Sequence, residues 1–523
     1  MARLNNTEST ALLASQTSEH LSGSRESING VQLNVKELAR SLGFWHAFAY
    51  VVGILFGSGM YISPSLVARE TNNMAIALVV WIVSGIIPIL GAMCLCELAC
   101  AIGKAGGEYI FNKEAFGDIA AFVTLWTKAV ICFPATIAVL GMAISEYILS
   151  PFIDITASNG VWIAKAVAVL FIVMSAIINS LSPSFVGKTQ IFFTAIQSLS
   201  VLFFISLGIW KASTGHTQNY VSIFDNSSKF ELGSLGIAFY NGLWAYDGWG
   251  YICTITEELK NPKRDIRLAI LFGVGFVILC YLLINLALLT VLTHEEIASS
   301  LSVFTLFVTK ILGKNVAFFV PFAAAFSCFS ALNGINFISS RIVLSGSREG
   351  HLPEPLSYIH MDRRTPIPAV LFQSTLSTIW ILVLGGGTQS LVIYYSFAIW
   401  FTYGLAIFGV IVLRVRQPDL PRPFKVWIIN PIFMTLVSLL LLAFPFLKRP
   451  VECSLSMVFV LVAVPIYFLV VQERNCTPDW LRSWKDKLYL CILLRCNLVK
   501  CVFVASKIQG ADFQKDTTSI ELN

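Results

Sequence analysis

Charge is what this sequence has least of. Asp, Glu, Lys and Arg supply 13% of 523 residues against 56% hydrophobic residues, and the mean hydropathy is +0.74. A chain this apolar is not an ordinary soluble domain, and most of it belongs in a lipid bilayer. It also lacks a basic tract. The formal net charge of +6 is scattered through short loops, so no phosphate-binding stripe and no nucleic-acid partner is expected. Histidine is scarce, and no Cys and His pattern has metal-site spacing. Of the 12 cysteines, Cys94, Cys96, Cys100, Cys132, Cys253, Cys280 and Cys328 sit inside apolar runs, where packing is their ordinary role and a secreted disulfide framework is excluded. No metal or other cofactor is expected. There is no Gly-x-x-x-x-Gly-Lys-Ser/Thr loop, no His-Glu-x-x-His and no exposed nucleophile with a convincing base. An enzyme is therefore disfavoured, as is an ATP-driven pump. Met1 to Arg40 is rich in Ser, Thr, Asn and Glu without the apolar core of a signal peptide, and reads as a disordered cytoplasmic tail.

What the chain does have is apolar length. Twelve runs of spanning character cover Phe44–Ala68, Met74–Cys100, Ile119–Leu149, Val161–Leu181, Gln190–Trp210, Leu235–Thr256, Leu268–Leu292, Val316–Leu344, Ala369–Leu384, Leu391–Leu413, Val426–Phe446 and Leu455–Val471. The organisation expected is a tail over 1–43, one all-α membrane domain of about twelve transmembrane helices over 44–471, and a second tail over 472–523. With the N-terminus inside, roughly 27 Lys and Arg fall on the inner side and about 7 on the outer, which places both termini in the cytoplasm. Asn226, in the sequon Asn226-Ser227-Ser228, then lies in an outer loop as an acceptor for glycosylation, unless the sequon goes unused. The semi-apolar stretch Leu488–Ser506 is interrupted by Arg495 and Lys500, which suits a helix on the inner membrane surface better than a thirteenth span.

Two runs are interrupted at their middles, the first by Gly57-Ser58-Gly59 and the sixth by Asp247-Gly248-Trp249-Gly250. If spans one to five and six to ten are repeats, the breaks correspond, and the odd number of spans gives the halves opposite topology. Either break alone reads as ordinary helix packing; together they point to a substrate site. Unwound backbone in hydrocarbon leaves polar groups without partners, at several kcal/mol, unless it lines a cavity or meets a ligand. A zwitterion supplies both kinds of partner. The amides of Ser58, Gly59 and Met60 open a half-helix whose positive end suits a carboxylate. Carbonyls near Leu55 and Trp244 suit an α-ammonium group, so the substrate class is an α-amino acid. Asp247 is an acid at a helix break near mid-membrane, able to meet an ammonium group or a basic side chain; its alternative is a local cap on the broken helix. Trp244 is either a gate over the ligand or ordinary packing. Glu97, Glu146 and Lys128 are expected to make structural pairs.

These stretches resemble a known family. Gly57 through Pro64, Gly106-Gly107-Glu108-Tyr109, Phe239 through Trp249 followed by Thr256-Glu257-Glu258, Ser347 through Pro353 and Pro421 through Val426 are similar to the amino acid-polyamine-organocation superfamily. Within it the chain most resembles the L-type light subunits of heteromeric amino-acid transporters, and Trp244 to Trp249 the light chain that exchanges cystine, dibasic and neutral amino acids. The resemblance implies a five-plus-five inverted repeat of the LeuT kind and sodium-independent exchange. It also implies a site of Leu55, Ser58, Gly59, Trp244, Asp247 and Tyr251. Gln197 stands in the fifth helix where relatives carry a basic residue in place of sodium. Phe133-Pro134 stands where several carry Lys or Arg before the proline, which lessens any preference for acidic substrates. Family light chains join a heavy chain through a cysteine after the third helix, but Ser150–Gly160 contains none; a disulfide-linked partner is not expected, and a non-covalent one stays open. The leading expectation is an exchanger of neutral amino acids, with cationic ones as an open extension, in the plasma membrane. A proton-coupled symporter and a membrane amino-acid sensor with little flux are the rivals.

Overall fold

The computed structural model describes residues 25–28, 31–71, 73–155, 157–216, 218–221, 232–300, 302–383, 388–447, 449–472, 496 and 498–501. All twelve apolar runs are helical. The first is a pair, α1 (Phe44–Leu55) and α2 (Ser58–Thr71), bent by 40° at the break. Then come α3 (Met74–Ile102), the short α4 (Glu108–Phe116), α5 (Asp118–Leu149), α6 (Ser158–Asn179) and α7 (Pro183–Ser213). The sixth run is α8 (Leu232–Ala245), followed after a turn by the 3₁₀ stretch Tyr251–Glu258. The remainder are α9 (Pro262–Leu289), α10 (Val320–Arg348), α11 (Ile367–Val383), α12 (Thr388–Arg416), α13 (Ile429–Ala443) and α14 (Pro450–Leu461).

Elements five spans apart lie against one another: α2 on α8, α3 on α9, α5 on α10 and α6 on α11. That pairing places the two broken helices side by side at the junction between two inverted halves. Much of the surface is apolar, and the mainly apolar core also holds polar and charged side chains. Leu199, Phe272 and Leu439 face outward, while Gln197, Asn333 and Arg341 are buried, as a bundle solvated by lipid requires.

Local chemistry explains the helix ends. The Asn73 side chain accepts from the amides of Ala75 and Ile76 at 2.8 and 3.3 Å and starts α3 as an N-cap. Inside α5, Pro134 has no amide to give to Val130. The helix loosens into a π-turn over Trp126–Cys132, and the Val130 carbonyl instead accepts from Trp380 Nε1 at 3.2 Å. The π-turn bonds the Phe133 amide to the Lys128 carbonyl, bringing those two side chains to one face.

One small sheet was not legible in the sequence. β1 (Arg25–Ile28), β2 (Val31–Lys36), β3 (Tyr358–His360) and β4 (Leu498–Cys501) lie in the order β1-β2-β4-β3, with β2 and β4 parallel. The disorder expected through Arg40 is therefore corrected for 25–28 and 31–36, which are paired strands. Of the surface helix expected over Leu488–Ser506, Leu498–Cys501 is strand, and nearly all the rest lies outside the described residues. Both terminal segments meet in this sheet, so they share one face of the molecule.

Candidate substrate site

The first helix comes apart at Phe56 and Gly57, and its loose carbonyls are met by buried side chains. Gln197 Nε2 lies 3.2 Å from the Gly53 carbonyl, 3.0 Å from that of Phe56 and 3.1 Å from that of Ser327. Ser327 Oγ donates to the Phe56 carbonyl at 2.6 Å. The Tyr281 hydroxyl is 2.5 Å from the Leu55 carbonyl and 3.1 Å from that of Ala245, clasping the ends of both broken helices. One lone pair of Leu55 is thus already used, and a carbonyl oxygen has two. The amides of Ser58, Gly59 and Met60, by contrast, have no acceptor among the described residues, as the first turn of a helix requires unless a ligand supplies one.

The two breaks touch at Gly59. A Cβ there would stand 2.6 Å from Ala245 Cα, so the residue must be glycine for α2 and α8 to approach. A larger side chain here, Val included, would meet that backbone before it reached a substrate. In the second break Gly248 has a φ of +99°, the left-handed region that suits glycine.

Asp247 is held by three tyrosines. Tyr395 and Tyr251 both donate toward Oδ2, the latter at 3.3 Å, and Tyr403 donates to Oδ1 at 3.2 Å. The hydroxyls of Tyr251 and Tyr395 are themselves 2.8 Å apart, and the Trp244 ring meets Tyr395 edge-on with centroids 5.0 Å apart. The sequence reading found Trp244, Asp247 and Tyr251 but missed Tyr281, Tyr395 and Tyr403. Hydroxyls inside apolar runs were the signal available, since a buried Tyr usually seeks a polar partner.

Leu55, Gly57, Ser58, Gly59, Trp244 and Asp247 border a common cavity of about 30 Å³. Met60, Tyr251 and Gln197 are not part of that lining. The volume is close to that of a single water's share, so this conformation is closed around its centre. On the face carrying the β2 and β4 strands, the Arg341 guanidinium forks onto Glu258 at 2.6 and 3.1 Å with both side chains fully buried. The Leu42 amide bonds the Glu258 carbonyl at 3.0 Å, and the Lys260 amide the Leu42 carbonyl at 2.8 Å. On the opposite face Tyr61 packs on Phe304 with ring centroids 5.1 Å apart, beneath the short helices His294–Ser299 and Val303–Leu312.

A bilayer-type bundle with two opposed breaks around one small cavity fits transport better than chemistry. The model of the family described as amino acid permease matches residues 42–471, the whole of the helical bundle. The chain belongs to the amino acid permease family. Among curated relatives, this permease is 36% identical over 450 residues to the human b(0,+)-type amino acid transporter 1, covering 86% of this chain and 91% of that protein. It is 35% identical over 453 residues to the human cystine/glutamate transporter, with 86% and 89% covered. To the mouse large neutral amino acids transporter small subunit 2 it is 35% identical over 453 residues, with 85% and 84% covered. It is a multi-pass membrane amino-acid transporter of the L-type family, and no relative named here is an enzyme.

Among the expected structural pairs, Glu97 accepts from Arg414 at 2.9 Å through Oε1 and from the Val426 amide at 2.9 Å through Oε2, and Lys128 pairs with Glu108. Asn226 lies outside the described residues. No cluster of His, Cys, Asp or Glu suited to a metal occurs among the described residues.

Proposed function

We propose that this permease is a sodium-independent exchanger of neutral and cationic L-amino acids in the plasma membrane, with both termini cytoplasmic. The observation that carries the reading is the pair of breaks meeting at Gly59 and Ala245. There the unaccepted amides of Ser58, Gly59 and Met60 hold the substrate carboxylate, and the Leu55 and Trp244 carbonyls face its ammonium group. Trp244 closes over the side chain, and Asp247, oriented by Tyr251, Tyr395 and Tyr403, meets a basic one. Gln197 supports sodium independence, because its side-chain amide nitrogen sits within 3.2 Å of the Gly53, Phe56 and Ser327 carbonyls, in the place a hard cation at the first break would need. The common face of the two terminal strands supports termini on one side. The relative named as a small subunit supports a larger partner, and the absence of cysteine from Ser150–Gly160 favours one held without a disulfide there.

Uptake of labelled leucine and lysine into proteoliposomes tests this reading. Internal amino acid should stimulate uptake, and replacing sodium by choline should leave it unchanged. Uptake that ignores internal substrate but follows a pH gradient would instead establish the proton-coupled rival; binding without flux would establish the sensor. Asp247→Asn should lower lysine uptake relative to leucine, and an unchanged ratio would remove Asp247 from substrate recognition.

A further inference from the structure

Behind the tyrosines that hold Asp247 lies a second buried charge that the proposed transport mechanism does not use. Lys128 and Glu108 are both fully buried, with Nζ 2.7 Å from Oε1, and neither charged group has a hydrogen-bond partner beyond this pairing among the described residues. Three aromatic rings lie within 6 Å of the ammonium group. Its nitrogen is 4.7 Å from the ring centroid of Tyr403, 5.3 Å from that of Tyr251 and 5.8 Å from that of Phe133. Two of those rings, Tyr251 and Tyr403, carry the hydroxyls that donate to Asp247. The cation therefore lies over the rings whose hydroxyls meet the carboxylate. The π-turn over Trp126–Cys132 is what brings Lys128 onto the face of Phe133, and Phe133 packs edge-on against Tyr251 at 5.1 Å.

Resting on the reading of Asp247 as the acid that meets basic side chains, we propose that the Lys128–Glu108 pair sets this permease's preference between neutral and cationic amino acids. Lys128 is a positioning residue acting through space and through Tyr251 and Tyr403. Its positive potential at the site offsets the attraction of Asp247 for a second positive charge on the substrate, and Glu108 sets how much of that potential survives. Water screens little here, since Lys128, Glu108, Tyr251 and Tyr403 are buried and Asp247 is half-buried among them. A buried ion pair is no better for stability than an apolar pair of the same shape, so packing alone does not account for its charge.

The two partners can be tested in opposite directions. In the full-length protein reconstituted in proteoliposomes, the measured quantity is the ratio of the lysine inhibition constant to the leucine inhibition constant against labelled leucine uptake. Glu108→Gln leaves the Lys128 charge uncompensated and should weaken lysine relative to leucine by about tenfold, the size expected of one unit charge several ångströms away at an intermediate dielectric. Lys128→Met combined with Glu108→Gln removes both charges and should strengthen lysine relative to leucine several-fold. Structural damage would weaken both substrates together and leave the ratio in place. Ratios within twofold of the parent in both variants overturn the proposal, as do shifts of the same sign; should the double variant fail to reconstitute, the single Glu108→Gln shift decides. Asp247→Asn measured alongside separates the two readings. If it lowers lysine preference while the pair variants do nothing, only the role of the pair falls. If it changes nothing, the reading of the acid itself falls.

Discussion

Replacing Glu258 by Gln should unlatch the face that carries the termini. Glu258 and Arg341 are fully buried and joined by a forked pair at 2.6 and 3.1 Å. Arg341 also bonds the Phe337 carbonyl at 3.1 Å and Ser340 Oγ at 2.9 Å, and lies over the Phe337 ring. The amide of Gln keeps the shape but withdraws the charge, leaving a buried guanidinium without a counter-ion. Truncating one partner of such a pair costs about 3–5 kcal/mol. That penalty applies only while the 3₁₀ stretch Tyr251–Glu258 is docked on α10. Opening lets Arg341 reach solvent, so the penalty becomes a bias of about two to four orders of magnitude toward the open state. Cys253 lies within that stretch and is buried, which makes it a native reporter. Peptide-level mass spectrometry after maleimide treatment should find Cys253 modified much faster in Glu258→Gln, with transport reduced because one face no longer closes. Glu258→Gln combined with Arg341→Met, which removes both charges, should return labelling most of the way to the parent rate. Parent-like labelling of Cys253 in the single variant, with parent-like transport, would refute the latch.

Two other consequences follow from packing and from charge outside the membrane. Gly59→Ala adds a Cβ 2.6 Å from Ala245 Cα, an overpacking of about 1–3 kcal/mol; it should lower both thermal stability in detergent and uptake per reconstituted molecule, and a variant unchanged in either would contradict the close approach. In the short helix His294–Ser299, Lys310 at 2.5 Å and the Thr293 amide at 3.0 Å hold the Glu296 carboxyl below its ordinary range. A depressed carboxyl stabilises the fold above its unfolded value and ceases to do so as pH falls through the folded one. Hydrogen exchange around Ile297 should accelerate below about pH 4, by a small factor because the pair is partly exposed, and exchange independent of pH after correction for the intrinsic rate would count against the pair.

Apolar run length and paired glycine breaks made the twelve helices and the two interruptions legible, because both depend on residues close together in the chain. Asp247 was legible for a similar reason: a charge inside an apolar run is conspicuous wherever the helix points. Its partners were not. Tyr395 and Tyr403 lie about 150 positions away in α12, and nothing local distinguishes them from interfacial tyrosines. Lys128 was expected to pair, but the identity of Glu108 depends on how α4 docks on the π-turn of α5, which spacing alone does not encode. β4 escaped for the same reason, since its pairing partners are Tyr358–His360 and Val35–Lys36. The sequence marks Gly59 as part of a break, but only the fold shows that the close approach of the other broken helix requires a glycine there.

The two ends of the site are not equivalent, and the difference bears on how substrates are recognised. Carbonyls at the first break are already met by Gln197, Ser327 and Tyr281, so the ammonium group of a substrate adds to acceptors that are partly satisfied. The amides of Ser58, Gly59 and Met60 have no such provision. A buried unpaired donor costs about 1–3 kcal/mol, and that cost is relieved only when an acceptor arrives. Binding energy should therefore concentrate at the carboxylate. Leucinol, which keeps the ammonium and lacks the carboxylate, should inhibit leucine uptake at least tenfold more weakly than 2-hydroxy-4-methylpentanoate, which keeps the carboxylate and exchanges the ammonium for a hydroxyl. If the two inhibit equally, or leucinol inhibits better, the amides that open α2 are not the principal anchor, and the carboxylate must be held elsewhere.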